Sequence, residues 1–175
     1  MCSSDLELVA TFLLTGGRAA EVLGLTIDDI NFDRRTVRFA PNQYRDLKTQ
    51  TSKRVVPMWP QLADVLSSYV ADTPGSAGPM LFHSPHRQSG HPSLVDLSKA
   101  LDAVSLRLGR AQGGIRSRQF RHTYCAARLQ TLDRGAPVAQ YTVAREMGHG
   151  GTQLVNRIYG HLGTVRHRSE VVEYV

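Results

Sequence analysis

Glu146-Met147-Gly148-His149, followed shortly by Arg157-Ile158-Tyr159-Gly160-His161, is the stretch on which the reading of this 175-residue chain turns. Val138–Met147 reads as a helix, Gly148 and Gly150-Gly151 interrupt it, and Thr152–Tyr159 reads as the next helix. A histidine therefore follows a helix-ending glycine, and a tyrosine sits on the short helix beyond. Working back, Arg118-Gln119-Phe120-Arg121-His122-Thr123 lies on an expected helix over Ser117–Leu132. Near the start, Thr15-Gly16-Gly17-Arg18-Ala19-Ala20-Glu21 marks a break between two helices, Asp5–Leu14 and Arg18–Leu23.

Three short strand candidates lie after those first helices. Ile30–Phe32 and Thr36–Phe39 flank Asp33-Arg34-Arg35, a hairpin turn, and Arg54–Met58 is the third, with Pro57 marking its end. Pro41–Lys53 between them is polar and reads as a mobile hairpin. Gln61–Val70 and Ser93–Leu108 carry helical periodicity, Leu81-Phe82 is a short buried run, and 72–78 and His83–His91 read as loops. The expected fold class is α+β, mainly α: one helical domain over 1–175 with a small three-stranded antiparallel sheet towards its N-terminal side.

Hydrophobic content of 41% and charged content of 21% describe a folded globular chain. The net charge is +6, which favours a polyanionic partner without naming one. Its distribution says more. Arg116 to Arg168 holds nine arginines and no lysine against two acids, Asp133 and Glu146, a net of +7. Arginine presents a planar fork that matches phosphate oxygens, whereas lysine is a point charge. A solvated basic face explains some of these residues, but the lack of lysine argues against a purely solubilising role. Two cysteines, Cys2 and Cys125, form no metal or disulfide pattern, which suits a reducing, cytoplasmic setting. No apolar run reaches membrane-spanning length, and Asp5 and Glu7 stand where a signal peptide would be positive.

Displacement at a phosphodiester concentrates negative charge on phosphorus oxygens. Without a metal, fixed cationic donors must meet that charge. A tyrosine nucleophile needs help to lose its proton, and the departing sugar oxygen needs an acid. The order and spacing of the words above resemble the catalytic domain of the tyrosine recombinases, the phage integrase family. Thr15, Gly16, Arg18 and Glu21, followed by Leu23-Gly24-Leu25, match its first arginine word. Phe120, Arg121, His122 and Thr123 match the second. Met147-Gly148-His149 matches a leucine-glycine-histidine, and Tyr159 stands where the family's tyrosine lies. Each word alone is weak, but their ordered set covers Thr15 to Tyr159, and chance matches at several spaced places multiply.

The resemblance implies a residue set. Arg18 and Arg121 would clamp the phosphate, His149 would donate to one of its oxygens, and Tyr159 would attack. Lys48 would protonate the leaving 5′ oxygen: in the family a lysine sits in the hairpin turn whose second strand ends in proline, as Lys48-Thr49 leads here to Ser52-Lys53-Arg54-Val55-Val56-Pro57. Lys53 is the rival. The clearest departure is Arg118, where histidine or lysine is usual. Arginine cannot accept a proton at any working pH, so it can hold a phosphate oxygen or favour the phenolate by its charge, but not act as a base.

What the resemblance implies is cleavage of double-stranded DNA through a 3′-phosphotyrosyl link, with no metal, nucleotide or other cofactor and no small-molecule substrate. A homo-oligomer, a tetramer on DNA, would be the working form, with the tail after Gly163 open to docking on a neighbour. Family members usually carry an N-terminal helical domain that clamps the other side of the DNA. That core-binding domain is expected to be absent here, the chain resembling an isolated catalytic domain or truncated product. The rival reading is a DNA-binding remnant that kept the fold and lost turnover. A metal site on His83, His86 and His91 has loose spacing with no nearby cysteine or carboxylate, and a Ser/His hydrolase has no nucleophile-elbow word.

Overall fold

A computed structural model describes residues 5–72, 79–82, 97–133 and 135–164. The loop stretches at 73–78 and 83–91, with His83, His86 and His91, and the tail from 165 onward lie outside the described residues, as does the first part of the helix expected from Ser93.

Helix α1 (Asp5–Thr15) precedes the short α2 (Ala19–Leu23). Strands β1 (Ile30–Asn31), β2 (Thr36–Phe39) and β3 (Arg54–Pro57) form the antiparallel sheet in the order β1-β2-β3, with Val37 opposite Ile30 on one side and Val56 on the other. Alternation along β2 and β3 turns Val37, Phe39, Arg54 and Val56 inward and Arg38 and Val55 outward. Helices α3 (Pro60–Asp72), α4 (Leu97–Arg107), α5 (Ser117–Arg128), α6 (Gln140–Glu146) and α7 (Gln153–Thr164) follow. The expected mainly helical fold with a three-stranded sheet is what the chain adopts.

Two differences from the sequence reading matter. The helix expected to run to Leu132 ends at Arg128, and Leu132–Asp133 pairs with Ala136–Pro137 as a two-stranded ladder, β4 and β5. Gly135 at φ 81 closes the turn. The polar stretch 41–53 is tied down rather than free. Arg45 is buried there, its Nη2 on Asp29 at 2.9 Å and its other nitrogens on the carbonyls of Ala40, Glu21 and Gly24. A buried guanidinium must find acceptors on every side, and this one draws its loop onto the α2 turn.

The apolar interior forms two clusters. One gathers α1, the sheet, α3, Leu81-Phe82 and α4 around Phe12, Val37, Phe39, Leu62 and Leu66. The other joins α5, α6 and α7 through Tyr124, Cys125, Val143, Met147 and Val155, with Tyr159 packed at its edge. Phe12 on α1 stacks with Phe120 on α5, ring centroids 6.1 Å apart, and so couples the two.

Gly16 stops α1 at φ 61, and a Cβ there would lie 2.5 Å from the Tyr124 ring. Gly16→Ala is therefore expected to destabilise by about 1–3 kcal/mol through overpacking and backbone strain. Gly160→Ala, in α7 with open space around it, should be neutral or stabilising by up to about 1 kcal/mol. Urea midpoints of the two variants at unchanged slope check both.

Candidate active site

The break after α1 presents Arg18 as the residue immediately before α2. Its backbone N–H donates to Glu21 Oε2 at 2.8 Å, and its Nη1 donates to Glu21 Oε1 at 2.6 Å and Ser52 Oγ at 3.1 Å. The Arg18 side chain keeps 32% of its surface open, while that of Glu21 keeps 3%. Glu21 thus works from below, turning the guanidinium towards solvent. Glu21 is buried, and a second arginine shares it. Arg54 Nη2 donates to Glu21 Oε2 at 2.8 Å, while its Nε reaches the Glu146 carbonyl at 2.6 Å and its Nη1 the Ser52 carbonyl at 2.8 Å. Burial acts to raise the Glu21 pKa, but the hydrogen bonds and charge of Arg54, with the bonds from Arg18, overcome it and hold the carboxyl at about 2.

Arg121 leaves α5 and ends between two carbonyls. Nη1 donates to Gly16 O at 2.5 Å, and Nη2 donates to Met147 O and lies 3.2 Å from His149 Nε2. Burial, then the charges of Arg18 and Arg54, lower its pKa to about 10, which leaves it cationic at neutral pH. His149 is brought there by Gly148, whose φ of 68 ends α6 while His149 N–H closes back on Ala144 O at 2.9 Å. Arginine only donates, so Nε2 of His149 accepts and Nδ1 carries the proton. That Nδ1 is buried without a hydrogen-bond partner among the described residues. Burial, then the charges of Arg121, Arg18 and Arg54, push the His149 pKa down to about 4.

Arg18, Lys48 and His149 line one open pocket of about 600 Å³, with Thr49, Thr51 and, from α7, Arg157. Arg121 joins it through His149. Of the two lysines weighed from the sequence, Lys48 lines this pocket and the exposed Lys53 does not. No group of three or more His, Cys, Asp or Glu among the described residues has metal-binding geometry.

Tyr159 sits apart from that lining. Its hydroxyl shares a hydrogen bond with His122 Nδ1, ring centroids 5.9 Å apart, and meets Cys125, also on α5. Burial, then Cys125, raise the phenol to about 12, although the charges of Arg121 and Arg118 act the other way. Arg118 is exposed one turn before His122 and lines a different pocket with Asp102 and Arg116. The structure therefore brings four of the six sequence-chosen residues around one pocket and sets Tyr159, within range of the Arg118 charge, on the neighbouring helix pair. Arg54, Ser52 and Glu146 were missed. Their partners come from sequence-distant elements, and only the inward alternation of β3 hinted at Arg54.

A profile of the phage integrase family matches residues 3–165. Among solved structures, the chain is similar to a Tn1549 transposon integrase in complex with a circular intermediate DNA, at 19% identity and a TM-score of 0.67 over 93% of this chain and 57% of that one. It is similar to XerA recombinase at 18% identity and a TM-score of 0.66, covering 96% of this chain and 58% of that. It is also similar to XerH site-specific recombinase bound to palindromic difH substrate, at 19% identity and a TM-score of 0.65 over 94% of this chain and 44% of that. The chain thus spans little more than half the length of the transposon integrase and XerA chains. No curated protein matches. These likenesses establish the fold.

The two depressed pKa values fix how stability responds to acid. His149 takes up its proton near 6.5 when unfolded and near 4 when folded, and Glu21 near 4.5 and near 2. Both folded values lie below the unfolded ones, so both groups stabilise fully above their unfolded pKa and lose that contribution as pH falls through the folded one. Undiscounted, each shift corresponds to about 3 kcal/mol, and solvent screening at the half-buried His149 reduces its share below that. Urea midpoints should hold near neutrality, fall between pH 6.5 and 4, and fall further towards pH 2. His149→Gln should remove the first decline and leave the second.

Proposed function

The chain belongs to the phage integrase family, and from that we propose that it carries out site-specific recombination of double-stranded DNA through a 3′-phosphotyrosyl intermediate. The observation that carries the reading is the pocket in which Arg18, Lys48 and His149 meet, with Arg121 behind it. Cations gathered in this way suit an anionic ligand. Three guanidiniums, Arg18, Arg54 and Arg121, press on His149 while Glu21 is the carboxylate that interleaves them. A phosphate there relieves that repulsion.

The roles follow from position. Arg18 and Arg121 neutralise the non-bridging oxygens as charge builds on phosphorus, and His149 donates to one of them. Lys48, exposed on the rim beside Thr49 and Thr51, gives a proton to the departing 5′ oxygen. Tyr159 attacks from the α5–α7 side. A 5′-hydroxyl from a partner strand then reverses the step, and the energy of the broken bond stays in the phosphotyrosyl link, so no nucleotide is consumed. The tetramer on DNA and the reducing, cytoplasmic setting belong to the same reading. The free buried thiol of Cys125 suits that setting, and no described helix is long and apolar enough to cross a membrane.

Two observations favour a second reading, a remnant that binds DNA without turnover. Position 118 is an arginine, and the Tyr159 phenol is held high at about 12. Trapping separates the two. A pool of duplexes randomised in sequence and nicked beside the cut strand should yield a covalent protein–DNA adduct that is absent for Tyr159→Phe. Arg121→Ala should lower its rate at least about 100-fold, the usual effect of losing a donor to transition-state charge. Intact binding with no adduct from any duplex establishes the remnant.

DNA binding is expected to be steeply salt-dependent. Arg157 lines the pocket from α7 and is exposed. Arg157→Ala should weaken binding across sequences alike and flatten the slope of log K against log salt by about 1. Fluorescence anisotropy from low to moderate salt measures it, and a flat response of the parent chain would contradict phosphate contact altogether.

A further inference from the structure

A phenol that attacks phosphorus must release its proton, and the residue that assists in this family's usual pattern is here an arginine. The groups around Tyr159 can be taken in turn. Arg118 and Arg121 act on it by charge but have no lone pair to offer. Cys125 touches it, yet burial pushes that thiol up to about 11, so at neutral pH it holds its own proton. The Nε2 lone pair of His149 faces Arg121, and its other nitrogen is protonated. The Glu21 carboxylate is occupied by Arg18 and Arg54. The Glu146 carboxylate receives Tyr124 at 2.9 Å and both Nε and Nη2 of Arg128 at 2.8 Å. Lys48 stands in the pocket as the acid.

His122 is left, and it already touches the hydroxyl. On α5 it lies four residues after Arg118 and three before Cys125, so the three share one side of the helix, and His122 and Cys125 meet Tyr159 of α7 there. Its Nδ1 is bonded to Tyr159 Oη. We infer that His122 is a catalytic residue, the general base that takes the Tyr159 proton on Nδ1. This rests on the DNA-cleaving reading. As the Oη–P bond forms and the P–O5′ bond breaks, the phenol proton passes to Nδ1, His122 becomes an imidazolium, and Lys48 gives its proton to O5′. In the return step a 5′-hydroxyl attacks phosphorus, Lys48 recovers a proton, and the imidazolium returns its own to the phenolate. Arg118 contributes only the cation that favours phenolate, and the histidine that follows Arg121 in the second arginine word takes the proton four residues along the same helix.

Adduct formation on the nicked duplex pool tests the assignment. His122→Phe and His122→Asn should both slow it at least about 100-fold, with circular dichroism and thermal unfolding confirming that each is folded. Asparagine still accepts a hydrogen bond but cannot carry the proton away, so a His122→Asn variant of near-parent rate would make His122 a positioning residue and overturn the inference. Placing 3-fluorotyrosine, a more acidic phenol, at position 159 should restore His122→Phe at least about 10-fold while changing the parent little. A 5′-bridging phosphorothiolate, whose sulfur leaves without a proton, should rescue Lys48→Ala and not His122→Phe; the converse overturns the inference. If the parent forms no adduct at all, the DNA-cleaving reading itself has failed and this inference with it. A parent adduct with undiminished His122 variants sinks the inference alone. Should both variants misfold, 15N spectra of the DNA-free parent decide: an unprotonated Nδ1 with the proton on Nε2 supports the base, and a protonated Nδ1 overturns it.

Discussion

One guanidinium holds the active region together. Arg121 reaches from α5 to the carbonyl of Gly16, 105 residues earlier, and to that of Met147, 26 residues later. Those carbonyls belong to the two turns that present Arg18 and His149. A charged donor shared between two buried carbonyls is worth more than neutral hydrogen bonds in the same place and tolerates little displacement. Loss of Arg121 would therefore do two things together: remove a cation from the pocket and release both loops that shape it. That coupling brings three short words, far apart in sequence, to one place in the fold.

The cations crowd because burial alone would not permit them. Arg54 is held by Glu21 and by the carbonyls of Ser52 and Glu146, and its guanidinium lies 4.4 Å from the centroid of the Phe39 ring. A buried charge survives only when paired and hydrogen-bonded on all sides. Glu21 satisfies Arg54 and, through the same carboxylate, turns Arg18 outward. Glu146 does the parallel work for the second cluster, where Arg128 grips it with two nitrogens and Tyr124 adds a third donor. Glu21 therefore neutralises the inner side of Arg18 while 32% of that side chain's surface stays open to solvent.

Arg18, Arg121, His149 and Tyr159 were legible because each sits in a short local word, with glycines at 16 and 148 where the chain takes positive φ. Lys48 was legible only as one of two lysines, since nothing local distinguishes it from Lys53; its place on the pocket rim depends on the 50–52 turn, where Ser52 meets Arg18. Arg54 reads in sequence as part of a β-strand beside a lysine. Its bond to Glu146 O spans 92 residues, and no periodicity encodes such a partner. Arg45 failed for the same reason: a single arginine in a polar stretch reads as solvated, and only the fold supplies its acceptors. The strands β4 and β5 are two residues each, too short for alternation to register.

The separation of Tyr159 from the pocket is the least legible feature and bears most on chemistry. Val155, one turn earlier on α7, is buried in the second cluster, and that anchoring fixes which way Tyr159 faces. The same helix turns Gln153, Leu154 and Arg157 to the pocket, so α7 presents the proposed anion-binding groups and the proposed nucleophile on adjoining faces. Arg121 lies at the seam: it bonds to His149 on the pocket side, and its charge favours the Tyr159 phenolate on the other. A phosphate drawn to Arg121 would draw its positive field away from the phenol as it brought the substrate near. Activation of the nucleophile therefore cannot rest on arginine charge alone, and it falls to a neutral group that can receive a proton after the anion has arrived.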